Sequence, residues 1–564
     1  MPDLNYQLLK RTLNFHVAVK WLVRDAIDDF YPDPVNFADL KLYPAEYLDR
    51  RQHRLLQTST LPHLMEYKPK KGGMLREAIW LCPASRVLYL AILHHLLPRL
   101  DSKVFDEVYS YRRDEPHDPD AYPFEERMNR WKQCQNDFRE AALEASTGAV
   151  LVTDIASFFD HISCDEMCRR IRGMLGATAH AEDEAVINLL STLLNMWSTD
   201  GFGIPQNHDP SSFFGSLYLH NVDHELVSRR FRYFRWLDDI RIVAKSKEQA
   251  LRALHELQRA LAPYRLFLST AKTCILTKGD PRLGALLDVE DDEALSRADE
   301  IKMTGDCGNM KAFINKLFAR LEHHAGPEGD DRKFRAFANR LLDFGDYSEI
   351  RQEIHPRLQE FVIPRLDTHP EQSDTWVKIL SAYQDGNAIA AAEQRLAERP
   401  SVFDWQRFHL WKLATNAPGP LPEKLLDQAI LVSRSGVSHA ETAQAIVCVG
   451  RHGDNTQREG LFRSSFTAQR SQLVQRAVLI AIQALPREQR DYLFRRALEI
   501  NPDHRELVDY LSSLESPNYG EKKRPERRCK EVPRKVETRI RRGIGLVGGK
   551  VVRFRLTQQD SDYE

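Results

Sequence analysis

The fold is indicated most clearly by residues 152–161, which read VTDIASFFDH. They overlap the apolar run GAVLVT at 148–153, which is rich in β-branched residues and begins at a glycine. A run of this kind is typical of a buried β-strand. The pattern therefore predicts a strand that ends at the carboxylate of Asp154, with two aromatic residues, Phe158 and Phe159, shortly after it.

A second carboxylate site lies between two further apolar segments. FRYFRW at 231–236 and IRIVA at 240–244 predict the strands of a hairpin whose turn contains Asp238 and Asp239. Carboxylates in apolar surroundings need a compensating charge, and Mg²⁺ prefers oxygen ligands. The alternative is a solvated turn, in which Asp is common. Other Asp pairs occur at 28–29, 291–292 and 330–331.

A third segment, GIPQ at 203–206, is followed by Ser211 and by apolar residues at helical spacing over 211–227. Residues 246–261 show a second helical pattern. A strand, helices, a hairpin and a helix in this order indicate an α+β fold and not a series of βαβ units.

In order and spacing, these segments resemble the palm of a reverse transcriptase. That family has Asp-x-x-x-aromatic-aromatic, then Gly-x-Pro-Gln with a downstream Ser, then aromatic-x-Asp-Asp, and later a Lys-Thr pair, here Lys272-Thr273. Upstream, YKPKKGGMLREAIWLCP at 67–83 resembles the fingers, and SYR at 110–112 resembles the segment between fingers and palm. The resemblance covers roughly residues 60–290 and implies an α+β right-hand polymerase with fingers and palm.

The resemblance implies an RNA-directed DNA polymerase, a nucleotidyltransferase that uses two Mg²⁺ ions, for which Mn²⁺ can substitute. Lys272 would protonate the pyrophosphate leaving group or neutralise its charge, and a surface lysine is the alternative. The residues that would hold the metal ions are Asp154, Ile155, Asp238 and Asp239, and the three carboxylates would be catalytic together with Lys272.

The resemblance also implies contacts to the incoming nucleotide. Arg76, with Lys70 or Lys71, would hold the triphosphate, although cations of this kind commonly lie on the surface. Phe159 would pack under the sugar and leave no room for a 2′-hydroxyl, which favours deoxynucleotides; a core aromatic is the alternative. Gln206 would contact the nucleotide or the template base.

The chain departs from the family pattern at two positions. Asn207 stands where Gly usually follows Pro-Gln, and Asn tolerates positive φ better than most residues, so the turn can survive. Trp236 stands where Tyr is commoner, and its N–H can donate a hydrogen bond but not accept one. Both changes count against ordinary, processive copying of a template.

After about residue 294 the strand signal nearly vanishes, and amphipathic helical patterns are separated by turn residues. They predict an all-α, HEAT-like domain of irregular repeats; the alternative is a compact helical domain, because no fixed period is found. The predicted domains are an N-terminal helical segment at 1–60, fingers and palm at 61–290, thumb-like and then repeat-like helices at 291–515, and a basic tail at 516–564.

The C-terminal tail is strongly basic over residues 521–543, EKKRPERRCKEVPRKVETRIRRG. Such a block is either a solvated, mobile segment or an arm that binds phosphates. The final segment LVGGKVVRFRL predicts a small hairpin through Gly548-Gly549.

The layout of a palm followed by helices, without an RNase H segment, an integrase or a zinc-binding endonuclease, resembles the bacterial abortive-infection and defence-associated reverse transcriptases. Some members of that group make DNA without a template or from a protein hydroxyl. Three alternatives stay open: a retron-like or group II-derived enzyme, a catalytically silent palm that scaffolds RNA, and an RNA polymerase. The bulk of Phe159 speaks against the last of these.

Composition sets broad limits on the function. The 564 residues carry a formal net charge of −1, which excludes a globally basic nucleic-acid coat protein. The implied partners are RNA and/or DNA and dNTPs, with a non-coding RNA and a homo-oligomer as options.

No apolar run approaches the roughly 20 residues that span a bilayer, and the N-terminus lacks the apolar core of a signal peptide, so a cytoplasmic protein without a membrane partner is expected.

The eight cysteines include no CxxC pair, which predicts free thiols in a reducing compartment. His161, Cys164 and Cys168 fall on one face of a predicted helix and could bind zinc. Because no fourth ligand is nearby, a buried helix face is the preferred interpretation.

Overall fold

The structure, a computed structural model, describes residues 6–48, 56, 61–114, 121–326, 329–383, 385–520 and 524–530. The predicted hairpin at Gly548-Gly549 and most of the basic tail lie outside these residues. The chain divides into two compact units. The first comprises Met1–Asp288 and Gln359–Lys523, and the second comprises Val289–Leu358 and Arg524–Glu564. The four predicted domain ranges remain predictions.

Six strands form two antiparallel sheets in the first unit. A hairpin within the fingers-like segment pairs β1 (His63–Pro69) with β2 (Leu75–Leu81). The second sheet has the order β4-β5-β3-β6, and β3, β4 and β5 confirm the three predicted strands to within two residues. They are β3 (Ala149–Asp154), β4 (Arg232–Trp236), β5 (Asp239–Ala244) and β6 (Cys274–Thr277).

The sheet is antiparallel and helices pack against it, so the predicted α+β pattern is confirmed. The predicted helix over 211–227 is instead two helices, because the backbone leaves the helical region at Leu219, where ψ is 2°. The helices up to residue 288 are α1 (Tyr6–Thr12), α2 (Phe15–Asp25), α3 (Ala38–Leu42), α4 (Pro83–Asp101), α5 (Arg127–Leu143), α6 (Cys164–Leu175), α7 (Ala181–Trp197), α8 (Asp209–Tyr218), α9 (His220–Ser228), α10 (Lys247–Leu261) and α11 (Pro281–Leu287).

The core beneath the sheet explains why the strands stay in register. Helix α5 packs against β4 and β5, and α10 packs against β3 and β5. Phe138 of α5 is fully buried with Val150, Phe234, Val243 and Leu276 from the four strands. A one-residue slip would turn these side chains to the other face of the sheet. The core therefore fixes which residues stand opposite each other at the strand ends.

The described residues of the second unit are mainly helical and include a disulfide. Cys307, at the start of α13, is bonded to Cys529 in the short described part of the tail. The prediction that every cysteine is a free thiol is therefore wrong for this pair, whose members lie 222 residues apart; the other six are free. The helices of this part are α12 (Glu290–Thr304), α13 (Cys307–Ala325), α14 (Asp331–Phe344) and α15 (Ser348–Thr368).

The helices after residue 359 pack in two layers within the first unit. In one layer α16 packs on α18, α18 on α20 and α20 on α22, while α19 and α21 cover that layer from one side. This alternation follows the predicted helix pairs, and their HEAT-like nature remains a prediction. The helices are α16 (Ser373–Ser381), α17 (Gly386–Glu393), α18 (Asp404–Thr415), α19 (Glu423–Ser435), α20 (His439–His452), α21 (Asn455–Ser465), α22 (Gln472–Ile482), α23 (Arg487–Ile500) and α24 (Arg505–Ser513).

Among the helices that the structure describes, none is both long enough and apolar enough to cross a lipid bilayer.

The close approach of α20 and α22 depends on Gly450, which gives a testable prediction. A Cβ at this position would lie 2.3 Å from Cα of Ala481, which is backbone and cannot move aside alone. We expect Gly450→Ala to lower the free energy of unfolding by about 1–3 kcal/mol, measured by urea denaturation. The matched control is Gly460→Ala in α21, where nothing lies within 4 Å of the added methyl, and a small gain in stability is expected. Equal effects at both positions would contradict this account.

Candidate active site

Three carboxylates meet where the strands of the second sheet end. In the antiparallel ladder Asp154, the last residue of β3, stands opposite Asp239, the first residue of β5. Residues in such positions have Cβ atoms about 4.5–5.5 Å apart. Asp238 occupies the turn between β4 and β5, directly before Asp239. The structure thus brings together the three carboxylates that the sequence predicted as one site.

Burial and repulsion between carboxylates raise the pKa values of Asp154 and Asp238. The pKa of Asp238 is raised to about 7, first by burial and then by the charges of Asp154 and Asp239. Burial also raises the pKa of Asp154, an effect that the hydrogen bond and charge of Lys272 oppose. Carboxylates held this close lack sufficient positive charge, and a divalent cation would supply it.

The Asp-Asp turn is held by two groups that sequence reasoning did not assign to the site. Leu237, the first residue of the turn, has φ of 53°, a left-handed conformation that costs a non-glycine residue about 1–2 kcal/mol. Its N–H donates to Oγ of Ser110 at 3.1 Å, and its carbonyl accepts from Nη1 of Arg235 at 3.0 Å. These bonds compensate for the strain and fix the direction of Asp238.

Arg235 is itself locked in place. It is fully buried and makes a two-pronged ion pair with Asp223, with Nε···Oδ1 at 2.8 Å and Nη2···Oδ2 at 2.6 Å. The hydroxyl of Tyr233 donates to the same carboxylate at 2.5 Å. An arginine inside an apolar strand was the sequence signal for this role, because a buried guanidinium requires a partner.

Lys272 and Ile155 join the carboxylates as predicted residues of the site. Nζ of Lys272 lies 2.9 Å from Oδ2 of Asp154. The N–H of Ser269 donates to the carbonyl of Asp154 at 2.7 Å and so brings the lysine segment alongside β3. The N–H of Ile155 donates to the carbonyl of Asp238 at 3.2 Å and ties the end of β3 to the turn.

The residues predicted to bind a nucleotide converge on Asp160, which sequence reasoning missed. Nζ of Lys70 lies 3.2 Å from Oγ of Ser157 and 3.9 Å from Oδ2 of Asp160. Gln206 donates to Oδ1 of Asp160 at 2.6 Å and accepts from Nη1 of Arg76 at 3.4 Å. These contacts form one polar network across three separate segments. Asp160 follows Phe159 directly, so its place in the first motif was the available signal.

Arg76 is suited to bind an anion. Burial lowers its pKa, and the charges of Asp160, Asp238 and Asp154 oppose this change. Among the described residues its buried Nε has no hydrogen-bond partner. A buried, unpaired guanidinium N–H favours an anionic ligand such as a phosphate. Lys71 is exposed in the loop between β1 and β2.

Phe159 is partly exposed, and its ring lies near Gly215 in the second half of helix α8. Its ring contacts Phe158 edge to face, with centroids 5.3 Å apart. A Cβ at Gly215 would stand 3.4 Å from Cε1 of Phe159, so an alanine there would pack directly against the ring. The carbonyl of Phe159 accepts from the N–H of Ile204 at 3.2 Å, which joins the first and third motifs.

The turn after Gln206 survives the replacement of the family's glycine. Asn207 adopts φ of 64°, the positive value that the sequence analysis anticipated. The following residues are anchored to Asp25, whose Oδ1 accepts from the N–H of Asp209 at 2.8 Å. Burial alone would raise the pKa of Asp25, but contacts with His208 and Arg86 hold it below its usual value. Helix α2 thus supports the Gln206 turn.

Two other predictions concern side chains near the site. The ring of Trp236 lies 5.2 Å from that of Trp131, nearly perpendicular to it. Cys164 and Cys168 are buried in α6, and burial raises the pKa of their thiols to about 11 and about 12. His161 is exposed before that helix. The buried-face interpretation of the two cysteines is confirmed.

The donor set fits Mg²⁺. The carboxylates of Asp154, Asp238 and Asp239 are hard oxygen ligands on adjacent strand ends, and burial together with the charges of the other two carboxylates raises the pKa of Asp238. Phosphate oxygens would complete the coordination, as is usual for Mg²⁺.

Residues 68–305 match the family Reverse transcriptase (RNA-dependent DNA polymerase). A comparison with curated proteins gives no significant match. Among solved structures, the chain is similar to telomerase from Candida albicans in complex with a TWJ fragment of telomeric RNA, at 10% identity and a TM-score of 0.29, covering 84% of this chain and 68% of that one. It is also similar to apo telomerase from Candida tropicalis, at 10% identity and a TM-score of 0.31, covering 80% and 67%. TM-scores of this size do not establish a shared fold.

Proposed function

The chain carries a reverse transcriptase domain over residues 68–305, and we propose that it is a Mg²⁺-dependent nucleotidyltransferase that makes DNA from dNTPs. The single observation that carries this proposal is the meeting of Asp154, Asp238 and Asp239 at one edge of the sheet. A polar network that contains Lys70, Arg76 and Gln206 faces the same edge and supports it. All the proposed site residues fall within the matched range.

The proposed reaction is displacement at the α-phosphorus of a dNTP. The 3′-hydroxyl oxygen forms the new P–O bond, the bond to pyrophosphate breaks, and the hydroxyl proton is lost. Bound Mg²⁺ would favour the deprotonated hydroxyl and neutralise charge on the phosphates. Arg76 and Lys70 would bind the triphosphate, and Nζ of Lys272 would donate a proton to the leaving pyrophosphate.

The finer parts of the proposal rest on the layout of the chain. A palm followed by a long helical region supports a defence-associated reverse transcriptase of the abortive-infection type. In this proposal the protein works against phage in the cytoplasm. Its nucleic-acid partner is RNA and/or DNA, and a non-coding RNA or a second copy of the chain is an additional candidate partner.

The experiment that tests the proposal is incorporation of labelled dNTPs by the purified protein with Mg²⁺, before and after nuclease treatment and with added RNA template. Synthesis that needs RNA identifies a templated enzyme. Synthesis that survives nuclease treatment identifies template-independent or protein-primed activity. No incorporation with Mg²⁺ or Mn²⁺, together with binding of RNA, would favour a silent palm that scaffolds RNA.

We expect Phe159→Ala to raise the use of ribonucleotides. Removing the ring would open space beside the sugar, and steric discrimination of this kind is commonly worth about 10- to 200-fold. The ratio of kcat/KM for a ribonucleotide to that for the matching deoxynucleotide should therefore rise at least tenfold. Phe361→Ala, which removes a partly buried ring in α15, is the control. An unchanged ratio would remove Phe159 from the sugar site.

A further inference from the structure

Three consecutive residues of strand β1 are held by groups outside their hairpin. Glu66 is buried, and its carboxylate accepts from Oγ of Ser438 at 2.8 Å and from the N–H of Ala440 at 3.0 Å. These donors stand at the N-terminus of α20 (His439–His452), where the helix dipole favours a negative charge. One edge of the hairpin is therefore attached to the helical region.

The next two residues make similar attachments. The carbonyl of Tyr67 accepts from the hydroxyl of Tyr31 at 2.8 Å. Nζ of Lys68 lies 4.1 Å from the ring centroid of Trp405, at the start of α18, and 4.8 Å from that of Phe30. The same ammonium group is 3.7 Å from Oδ2 of Asp374 in α16. A cation between two aromatic faces and a carboxylate resists displacement.

These attachments act next to the proposed nucleotide contacts. In the hairpin Lys68 stands opposite Arg76, and Lys70 follows two residues later. An isolated two-stranded hairpin is only marginally stable in water. The position of both phosphate-binding cations therefore depends on what holds β1 from outside.

We propose that the helical region fixes the fingers hairpin in the position in which Lys70 and Arg76 meet the incoming triphosphate. Glu66 and Lys68 are positioning residues in this account, and Ser438 is the connection on the helical side. The inference rests on the proposed function and deepens it. The helices after residue 359 would then contribute to nucleotide binding by holding the hairpin that carries Lys70 and Arg76.

Ser438→Ala tests the proposal with a closely matched control. The change removes the hydroxyl bond to Glu66 and also the N-cap bond to the N–H of Glu441. Ser471→Ala removes an equivalent N-cap bond, to Val474 in α22, and leaves the hairpin untouched. Ser438→Thr keeps the hydroxyl and should restore wild-type behaviour.

We expect Ser438→Ala to raise KM for dNTPs about five- to tenfold with kcat within about twofold, because one buried hydrogen bond is lost and the chemical groups remain. Lys68→Met, which keeps the length of the side chain without its charge, should act in the same direction. Ser471→Ala should leave KM unchanged. A role limited to stability would lower the activity of both serine variants in parallel.

Amide hydrogen exchange of residues 63–81 provides a readout that does not need activity. Exchange should be faster in Ser438→Ala and Lys68→Met than in the wild type and in Ser471→Ala. Unchanged exchange overturns the attachment, and faster exchange with an unchanged KM overturns the positioning role. Faster exchange in a protein that never incorporates nucleotides supports the attachment while refuting the proposed function.

Discussion

We expect that replacing Asp238 and Asp239 with Ala abolishes the proposed nucleotide incorporation, with a loss of about 10³-fold or more. The two carboxylates and Asp154 form the only part of the proposed mechanism that no other described group can replace, because each supplies an oxygen ligand at the strand ends. Incorporation of labelled dNTPs by the variant, measured beside the wild type, checks this. Persistent synthesis by a pure double variant would refute the proposed function.

The same cluster predicts a pH-dependent gain in stability for Asp238→Asn. The pKa of Asp238 is raised from 3.8 to about 7 by burial and by Asp154 and Asp239. Without a metal ion, the wild type therefore loses stability as the pH rises from about 4 to about 7, since the folded state must give up a proton that it binds more tightly than the unfolded state. The neutral amide avoids this loss.

Urea unfolding with a chelator provides the measurement. The stability difference between Asp238→Asn and the wild type should be small near pH 4 and largest above pH 7, with the variant more stable. Added Mg²⁺ should stabilise the wild type more than the variant, because the ligand set is intact only there. A wild type that is the more stable protein at pH 8 with chelator would contradict the account of the cluster.

Arg476→Met should lower the free energy of unfolding by about 3–5 kcal/mol, the usual effect of breaking a buried ion pair. Arg476, in α22, is buried with both Asp33 and Asp39. Its Nε lies 2.6 Å from Oδ2 of Asp33, and its Nη1 lies 2.9 Å from Oδ2 of Asp39. Without the guanidinium, two carboxylates would remain buried without their cation. The cost of this uncompensated buried charge adds to the loss of the ion-pair attraction and lowers the free energy of unfolding further.

Urea denaturation again measures the effect. Arg463→Met is the matched control, because that side chain is 75% exposed and pairs only with Glu459, so a change below about 1 kcal/mol is expected. Adding Asp33→Asn and Asp39→Asn to Arg476→Met should recover part of the loss. A loss below about 1 kcal/mol for Arg476→Met would contradict this account. It would show that water, or movement of the segment that carries Asp33 and Asp39, solvates the two carboxylates.

The sequence predicted the parts of this protein that depend on short-range pattern. Alternating and apolar runs at 148–153, 231–236 and 240–244 predicted three strands of one sheet. Successive side chains of a strand point to opposite faces of the sheet, so a run of six residues is enough to show the pattern. The order of the three motifs then predicted that Asp154 and the Asp-Asp turn belong together. The positive φ at Asn207 agrees with an Asn that stands where the resembling family has Gly.

Other features depend on contacts that no local pattern contains. Asp160 became part of the site only when Lys70 and Gln206, from distant segments, were placed beside it. The bond between Cys307 and Cys529 joins residues 222 positions apart, and free thiols were the expectation from spacing.

The sequence by itself thus determined the strands, the three motifs and the carboxylates, since residue type and period specify local structure and chemistry. The tertiary structure alone decided the partners of Glu66 and Arg476. Ser438, which binds Glu66, lies 372 residues further along the chain. Asp33, which binds Arg476, lies 443 residues before it. A buried charge must find an opposite charge or a donor, but only the packing of the whole unit determines which one is near enough.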